Sequence, residues 1–219
     1  MHKFAGALVL TLGLFAAGGA SSYAQQNHWL AAAPLPKTAQ SDSSEAPLKT
    51  IFSNLGPNKD AYNGGGGWIA AGPSDPYTNQ QQDVAIPFTP VSDSTVTRIK
   101  VPFQYYGYGA NAGTIALASD ASGVPGTVLA THDIKNFPVF GIGCCKLTTW
   151  TLKTGVSVTA GTQYWIIATT DKKSIDSAYV WDYTWNGVIE TIALQDNLTG
   201  WSTINFLPGP AAGVFGTTP

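Results

Sequence analysis

Aromatic and polar side chains alternate between Trp181 and Asn186. Trp181, Tyr183 and Trp185 occupy every second position, so in a β-strand they would share one face, with Asp182 on the other. Flat rings aligned on an exposed face stack on sugar rings, while a carboxylate or amide such as Asp182 or Asn186 bonds the hydroxyls. The same spacing is also typical of a buried core strand. The segment therefore predicts either a polysaccharide platform or part of the core.

A second aromatic candidate is the loop sequence from Tyr105 to Gly109, which reads Tyr-Tyr-Gly-Tyr-Gly. Three tyrosines between glycines can present rings to a ligand, but they can equally form a packed turn. Both interpretations stay open.

The chain has two cysteines, Cys144 and Cys145, and they are adjacent. In an oxidising compartment a disulfide is the default expectation. Neighbouring Cα atoms lie about 3.8 Å apart across a trans peptide, below the usual range for a bridge, so a vicinal disulfide would lock a tight turn. The alternatives are two free thiols, or a metal site completed by histidine or carboxylate ligands from elsewhere.

The carboxylates and histidines do not form a recognisable catalytic motif in the sequence. Glycosidase chemistry needs two carboxyls about 5–10 Å apart, and Glu190 with Asp182 and Asp196 is the one set that offers them. His132 and Asp133 are neighbours in a predicted strand, so they face opposite ways and do not form a dyad. No Gly-x-Ser-x-Gly nucleophile elbow occurs. We therefore expect no enzymatic activity, with an exported hydrolase as the weakest alternative.

Asp120 begins the turn sequence Asp-Ala-Ser-Gly-Val-Pro-Gly. Its side chain can accept hydrogen bonds from backbone N–H groups a few residues further on. A Ca²⁺ ion held by Asp120 and loop carbonyls is an alternative, but no Asp-x-Asp spacing supports it. We expect a turn, and no cofactor.

The elements that must position these residues are short strands. Apolar and polar residues alternate from Thr97 to Tyr105, whereas Tyr164–Ala168 is apolar throughout, as in a central strand covered on both faces. About ten such segments, separated by Gly, Pro, Asn and Asp, predict an all-β protein: an antiparallel, jelly-roll-like β-sandwich. The run Gly64–Gly67 lacks the Lys and helix of a phosphate-binding loop and predicts a flexible loop.

The first 48 residues divide into two parts. A short basic end, an apolar run from Phe4 to Ala17 and small residues up to Ala24 predict a Sec-type signal peptide over residues 1–24, cleaved after Ala24. The apolar run is shorter than the roughly 20 residues that a membrane span needs. Residues 25–48 lack strand alternation and predict a flexible linker, which leaves residues 49–219 as a single β-sandwich domain.

Composition limits the partners. After loss of the signal peptide, 10 basic and 13 acidic residues remain, a net charge of −3, and charged residues make up only 11% of the chain. Mild acidity without a basic block argues against nucleic acid or an anionic membrane as partner. Polysaccharides and cell-surface or matrix components remain as candidate partners.

Several short motifs, in order along the chain, resemble secreted bacterial choice-of-anchor β-sandwich domains, type R in particular. They are Ile51–Pro57, Ala85–Pro90, Leu117–Leu129, the cysteine pair, Ala160–Trp165 and Val214–Thr217. The resemblance implies an extracellular β-sandwich, usually followed by a C-terminal sorting anchor. Only three residues follow Gly216, with no apolar helix or basic tail, so we expect a released protein rather than an anchored one. The resemblance supplies no catalytic residues.

The sequence thus predicts a secreted, extracellular or periplasmic, non-catalytic β-sandwich protein with a structural or surface interaction role. The alternative is a carbohydrate-binding module that uses the aromatic strand face.

Overall fold

The structure is a computed structural model that describes residues 30–32, 48–142, 146–170 and 175–218, the first of these segments by its backbone alone. Within these ranges the chain forms fourteen β-strands and a single 3-10 turn at Pro57–Lys59. None of the helical structure in this part of the chain is long and apolar enough to cross a membrane. The predicted signal peptide, most of the predicted linker and the pair Cys144–Cys145 lie outside the described residues.

The strands, in chain order, are β1 (Leu30–Ala32), β2 (Lys49–Ser53), β3 (Asn63–Ala71), β4 (Gln82–Phe88), β5 (Ser94–Val101), β6 (Phe103–Tyr105), β7 (Ala112–Asp120), β8 (Pro125–Lys135), β9 (Thr148–Val158), β10 (Tyr164–Thr169), β11 (Ala178–Tyr183), β12 (Ile192–Asp196), β13 (Trp201–Ile204) and β14 (Gly213–Thr217).

Two antiparallel sheets make up the fold. The larger sheet has ten strands, in the order β6-β11-β3-β4-β10-β7-β8, with β1 beside β3 and the β12–β13 hairpin beside β4. The smaller sheet has the order β2-β14-β5-β9. One hydrophobic cluster joins Ile99 and Val214 of the smaller sheet to Ile86 and Ile166 of the larger one. This arrangement confirms the predicted all-β, antiparallel sandwich.

Strand β10 is buried on both faces, as its uninterrupted apolar sequence predicts. Ile166 and Ala168 belong to the core between the sheets. Trp165 and Ile167 belong to a second cluster on the outer face of the larger sheet, where Trp201 of β13 packs against it. Because successive strand residues face opposite ways, a strand covered on both sides must be apolar at every position.

The glycine run is a strand, and the prediction of a flexible loop over Gly64–Gly67 is wrong. These residues form the first half of β3, paired with β11. A Cβ on Gly67 would lie 2.3 Å from the carbonyl oxygen of Trp181 and 2.5 Å from Cγ1 of Val180. Glycine therefore occurs here because it permits a close approach of two strands, a use of glycine that loop composition does not reveal.

Part of the predicted linker also forms a strand. Leu30–Ala32 pairs in antiparallel fashion with Gly66–Trp68 on the side of β3 that faces away from β11. Strand β4 pairs with β3 only at its end, through Ala71 and Gln82, so β1 extends along the part of the β3 edge that β4 leaves open.

Candidate functional site

Trp181 belongs to the core. Its side chain is fully buried, and its Nε1–H donates a 2.7 Å hydrogen bond to the carbonyl oxygen of Ala211. Its ring packs edge-on against Phe103, with centroids 5.5 Å apart. Of the two interpretations that the sequence leaves open, the structure favours the core for this residue, because a ring without exposed surface cannot stack on a sugar.

Asp182 is also fully buried, and its carboxylate is hydrogen-bonded to another side chain of the protein. Nε2 of Gln104 donates to both carboxylate oxygens at 2.8 Å, and Oε1 of Gln104 accepts from the backbone N–H of Gly141 at 3.2 Å. Burial raises the pKa of Asp182 well above its usual range, against the opposing effect of the Gln104 hydrogen bond. This carboxyl links β11 to β6 and a neighbouring loop, and it is not accessible to a polysaccharide.

The other three predicted ligand residues do not complete a flat platform. Strand β11 ends at the half-buried Tyr183, whose pKa burial raises to about 12. The chain then turns, with the Thr184 hydroxyl accepting from the N–H of Val188 at 2.9 Å. Trp185 is half-buried against Gly56, and Asn186 is exposed. The assumed period of two fails because the strand stops before Trp185.

The second aromatic candidate does form an exposed cluster. Tyr106 and Tyr108 of the predicted loop meet Tyr77, with ring centroids 4.5 Å and 5.0 Å from that of Tyr77. Phe140 packs edge-on under Tyr106 at 5.4 Å. Tyr77 is 39% exposed and Tyr108 49% exposed. We call Tyr77, Tyr106 and Tyr108 the tyrosine cluster.

Two loops hold the tyrosine cluster in place. Oδ2 of Asp75 accepts from the backbone N–H groups of Tyr77 and Thr78, which fixes the first loop. In the second loop the Tyr105 hydroxyl donates to the Gly109 carbonyl at 2.8 Å. Gly109 has a φ of +62°, which favours glycine, and a Cβ there would lie 2.5 Å from the backbone of Asp176.

The neighbouring side chains in the cluster affect the pKa of Tyr77. Desolvation raises the pKa of Tyr77, and the neighbouring Tyr108 and Tyr106 and the carboxylate of Asp75 act in the same direction. The Tyr77 hydroxyl therefore stays protonated and available as a hydrogen-bond donor at neutral pH. A cluster of this kind offers ring faces and hydroxyl groups on two hydrogen-bonded loops.

A groove of about 780 Å³ lies elsewhere on the outer face of the larger sheet, over β4, β10, β7 and β8. We call it the outer groove. Its lining combines apolar side chains, threonine hydroxyls and two carboxyls, and consists of Pro73, Gln81, Asp83, Thr114, Ala116, Val128, Thr131, Asp133, Thr169, Thr170, Ile175 and Leu198.

Strand pairing arranges four of these residues in one line across the sheet. Asp133 of β8 lies opposite Thr114 of β7, and Thr114 lies opposite Thr169 of β10. The Thr169 hydroxyl is hydrogen-bonded to Asp83 of β4, and the Thr114 hydroxyl donates to Asp133 at 2.8 Å. We call Asp83, Thr169, Thr114 and Asp133 the polar row.

Asp83 is the buried end of the polar row. It is 5% exposed, and desolvation raises its pKa, with a further contribution from the charge of Asp196. Hydrogen bonds from Thr169 and Gln81 oppose this shift. These hydrogen bonds offset part of the cost of burying the carboxyl of Asp83.

Asp120 behaves as the turn interpretation predicts. Its two carboxylate oxygens accept from the N–H of Gly123 at 3.0 Å and from Nε2 of Gln163 and Nε1 of Trp165 at 2.8 Å each. Desolvation acts to raise the pKa of Asp120, but these hydrogen bonds lower it overall. No group of three or more His, Cys, Asp or Glu in the described part of the chain could hold a metal ion.

The carboxyls suggested for a hydrolase have different environments. Glu190 accepts from Nδ2 of Asn54 at 2.7 Å, and burial raises its pKa. Asp182 is bonded to Gln104, and Asp196 ends β12 beside Gln82 of β4. Glu190 and Asp182 therefore lie in separate hydrogen-bond environments, with Asn54 and Gln104 respectively.

His132 and Asp133 diverge, as expected for neighbours in a strand. The His132 ring stacks on Trp150 of β9, with centroids 5.8 Å apart and an interplanar angle of 8°. Asp133 instead bonds Thr114 in the outer groove. They lie on opposite faces of β8 and form no dyad.

Sequence reasoning missed Tyr77 and the outer groove. Tyr77 lies in a Pro- and Asn-containing loop with no periodic pattern, and only the fold brings it to Tyr108. The residues of the polar row are 31 to 86 positions from Asp83 in sequence and meet only through strand register. The available signal is a polar residue near one end of each strand.

Comparison with known proteins finds no matching protein-family model and no matching curated protein. The resemblance to choice-of-anchor domains therefore stays a prediction from the sequence motifs.

Proposed function

We propose that this chain is a secreted, non-catalytic β-sandwich protein that binds polysaccharide through the tyrosine cluster. The observation that carries the proposal is the pair of exposed rings, Tyr77 and Tyr108, held edge to face at 86° on two anchored loops. Aromatic side chains that combine a flat apolar face with a polar tip suit ligands that are apolar on one side and hydroxylated on the other. Sugars have this character.

The geometry favours a corner rather than a flat strip. Because the rings of Tyr77 and Tyr108 are nearly perpendicular, one sugar can stack on one ring while its edge contacts the other. The exposed Asp176, whose backbone packs against Gly109, lies beside the cluster and supplies an acceptor for hydroxyl groups. This arrangement suits a chain end or a branch point more than the middle of a flat polymer.

The test is affinity electrophoresis through gels that contain soluble polysaccharides. At least one polysaccharide should retard the protein, and Tyr77→Ala and Tyr108→Ala should each weaken binding about three- to tenfold, the contribution of one aromatic contact. Phe206→Ala is the matched control, since Phe206 is 65% exposed but lies outside the cluster. Equal binding by all four proteins, or no retardation on any polysaccharide, contradicts the proposal.

A second candidate role is interaction with surface or matrix proteins through open strand edges. Strands β8 and β9 are each eleven residues long, and among the described strands each has a single sheet partner, β7 and β5 respectively. Unpaired N–H and C=O groups along such an edge can pair with an extended segment of another chain.

Binding of labelled protein to cells and matrix of the source organism separates the two roles. Loss of binding in Tyr77→Ala/Tyr108→Ala supports the polysaccharide route. Loss in Leu129→Lys supports the edge route, because it places a charge on the exposed side of β8 at a residue that is 41% exposed.

A further inference from the structure

We propose that Tyr77 and Tyr106 form a cross-linking site, at which one-electron oxidation of both phenols joins the two rings through a carbon–carbon bond as dityrosine. The oxidant is hydrogen peroxide, used by a haem peroxidase. This inference concerns the covalent chemistry of the two rings and does not depend on polysaccharide binding by the tyrosine cluster.

The rings of Tyr77 and Tyr106 are already close together. Their centroids are 4.5 Å apart, and their planes are inclined to each other by 58°. This separation is at the short end of the range of roughly 4.5–7 Å for packed aromatic pairs, and it is near that of the two rings of a biaryl. The hydroxyl groups beside the new bond of dityrosine keep its rings out of one plane, so the bond can form with little movement of either loop.

Tyr108 is arranged less favourably for this bond. Its ring centroid lies 5.0 Å from that of Tyr77, and the interplanar angle of 86° makes the contact edge to face. Coupling joins a carbon at the edge of one ring to a carbon at the edge of the other, and a perpendicular pair brings only one edge to the contact. The geometry therefore favours Tyr106 as the partner of Tyr77.

Both tyrosines are held in place by the protein. The backbone N–H of Tyr77 donates to Oδ2 of Asp75 at 3.1 Å. The backbone N–H of Tyr106 donates to the carbonyl oxygen of Ala178 at 3.1 Å, and its ring packs on Phe140. Groups held in contact react faster than groups that must diffuse together, so a bond within one molecule is favoured over a bond between molecules.

The reaction balances with one molecule of peroxide. Each phenol loses one electron to the oxidant and its hydroxyl proton to water. The two radicals form one bond between ring carbons that neighbour the hydroxyl-bearing carbons; each bonded carbon then releases a proton, and each oxygen regains one. In sum, two hydrogen atoms leave the protein and reduce one hydrogen peroxide to two water molecules. Tyr77 is 39% exposed, which gives the peroxidase access to the pair.

The bond would tie together two loops whose tyrosines are 29 positions apart in the sequence. A covalent link restricts the unfolded chain, as a disulfide does, and it disturbs the folded state little where the joined groups already touch. The cross-linked monomer should therefore have a Tm about 5–10 °C above that of the untreated protein.

The experiment is treatment of the dilute purified protein with a haem peroxidase and hydrogen peroxide, followed by isolation of the monomer. We expect dityrosine fluorescence in the monomer and a mass lower by two hydrogen atoms. Trypsin cleavage after Lys59, Arg98 and Lys100 places Tyr77 and Tyr106 in different peptides, so mass spectrometry should find those two peptides joined.

Tyr77→Phe and Tyr106→Phe should each abolish this product, because phenylalanine keeps the ring but has no hydroxyl hydrogen to lose. Tyr108→Phe is the matched control and should leave the product unchanged. Persistence of the product in Tyr106→Phe, or its loss in Tyr108→Phe, would overturn the proposal. Cross-links only between molecules, or no dityrosine under conditions that couple free tyrosine, would overturn it as well. The reaction contains no polysaccharide, so failure of the polysaccharide proposal and failure of this one are distinguishable.

Discussion

Replacement of Asp182 by asparagine should remove a pH-dependent loss of stability. Asp182 is fully buried, and its pKa in the folded protein is well above the ordinary value of 3.8. The folded state therefore holds a proton that the unfolded state releases. Stability falls as pH rises from about 3.8 to the raised pKa and stays reduced above it.

The size of this stability change follows from the dependence of the free energy of unfolding on pH. One proton bound in the folded but not the unfolded state changes the free energy of unfolding by up to about 1.4 kcal/mol per pH unit within that window. Asparagine has the same shape and is neutral, and its amide oxygen still accepts from Nε2 of Gln104. The wild type should therefore lose stability relative to Asp182→Asn as pH rises.

Urea unfolding at intervals between pH 4 and pH 8 measures this difference. Burial also raises the pKa values of Asp83 and Glu190, so the wild-type curve contains their contributions, and the difference from Asp182→Asn isolates Asp182. A difference that does not change with pH, or wild-type stability that rises with pH relative to the variant, would refute the reasoning. Asp93→Asn controls for the removal of one surface carboxyl.

Three further perturbations test the fold around the candidate sites. Trp181→Ala should destabilise the protein by about 3–5 kcal/mol in urea unfolding, because it empties a fully buried site and removes the bond to Ala211, and a loss below about 1 kcal/mol would contradict its core position. Gly67→Ala should cost about 1–3 kcal/mol or more by the same measurement, because its Cβ would collide with the backbone of Trp181, and a neutral effect would contradict the close strand approach. Asp120→Ala should destabilise by about 1 kcal/mol at neutral pH through the bonds lost from Trp165 and Gln163. Because the pKa of Asp120 is lowered in the folded protein, this last difference should shrink as pH falls through that pKa, and a difference that grows in acid would contradict it.

The strands that sequence analysis predicts well are those in which pattern and burial agree. In β10 every residue is apolar, and both faces are covered. The glycine run of β3 is not predictable in this way, because its strand conformation depends on the close backbone of β11, which the local sequence does not specify. The periodicity of a segment shows which of its faces are buried. It does not show which neighbouring strand lies close to it.

The candidate sites are less predictable for a related reason. Trp181, Tyr183 and Trp185 share a sequence period, yet the end of β11 at Tyr183 separates the third ring from the first two. The rings of Tyr77 and Tyr108 are in contact although the two residues are 31 positions apart, and the polar row depends on the register of four strands. Register and loop packing are tertiary properties that a single sequence does not encode in a readable pattern.

The most direct test of the central proposal is isothermal titration of the wild type and of Tyr77→Ala/Tyr108→Ala with the polysaccharide that retards the protein most strongly. We predict saturable binding by the wild type and by Phe206→Ala, and loss of at least about tenfold in affinity in the double variant, as two aromatic contacts imply. Undiminished affinity in a folded double variant would contradict the assignment of the tyrosine cluster as the binding site.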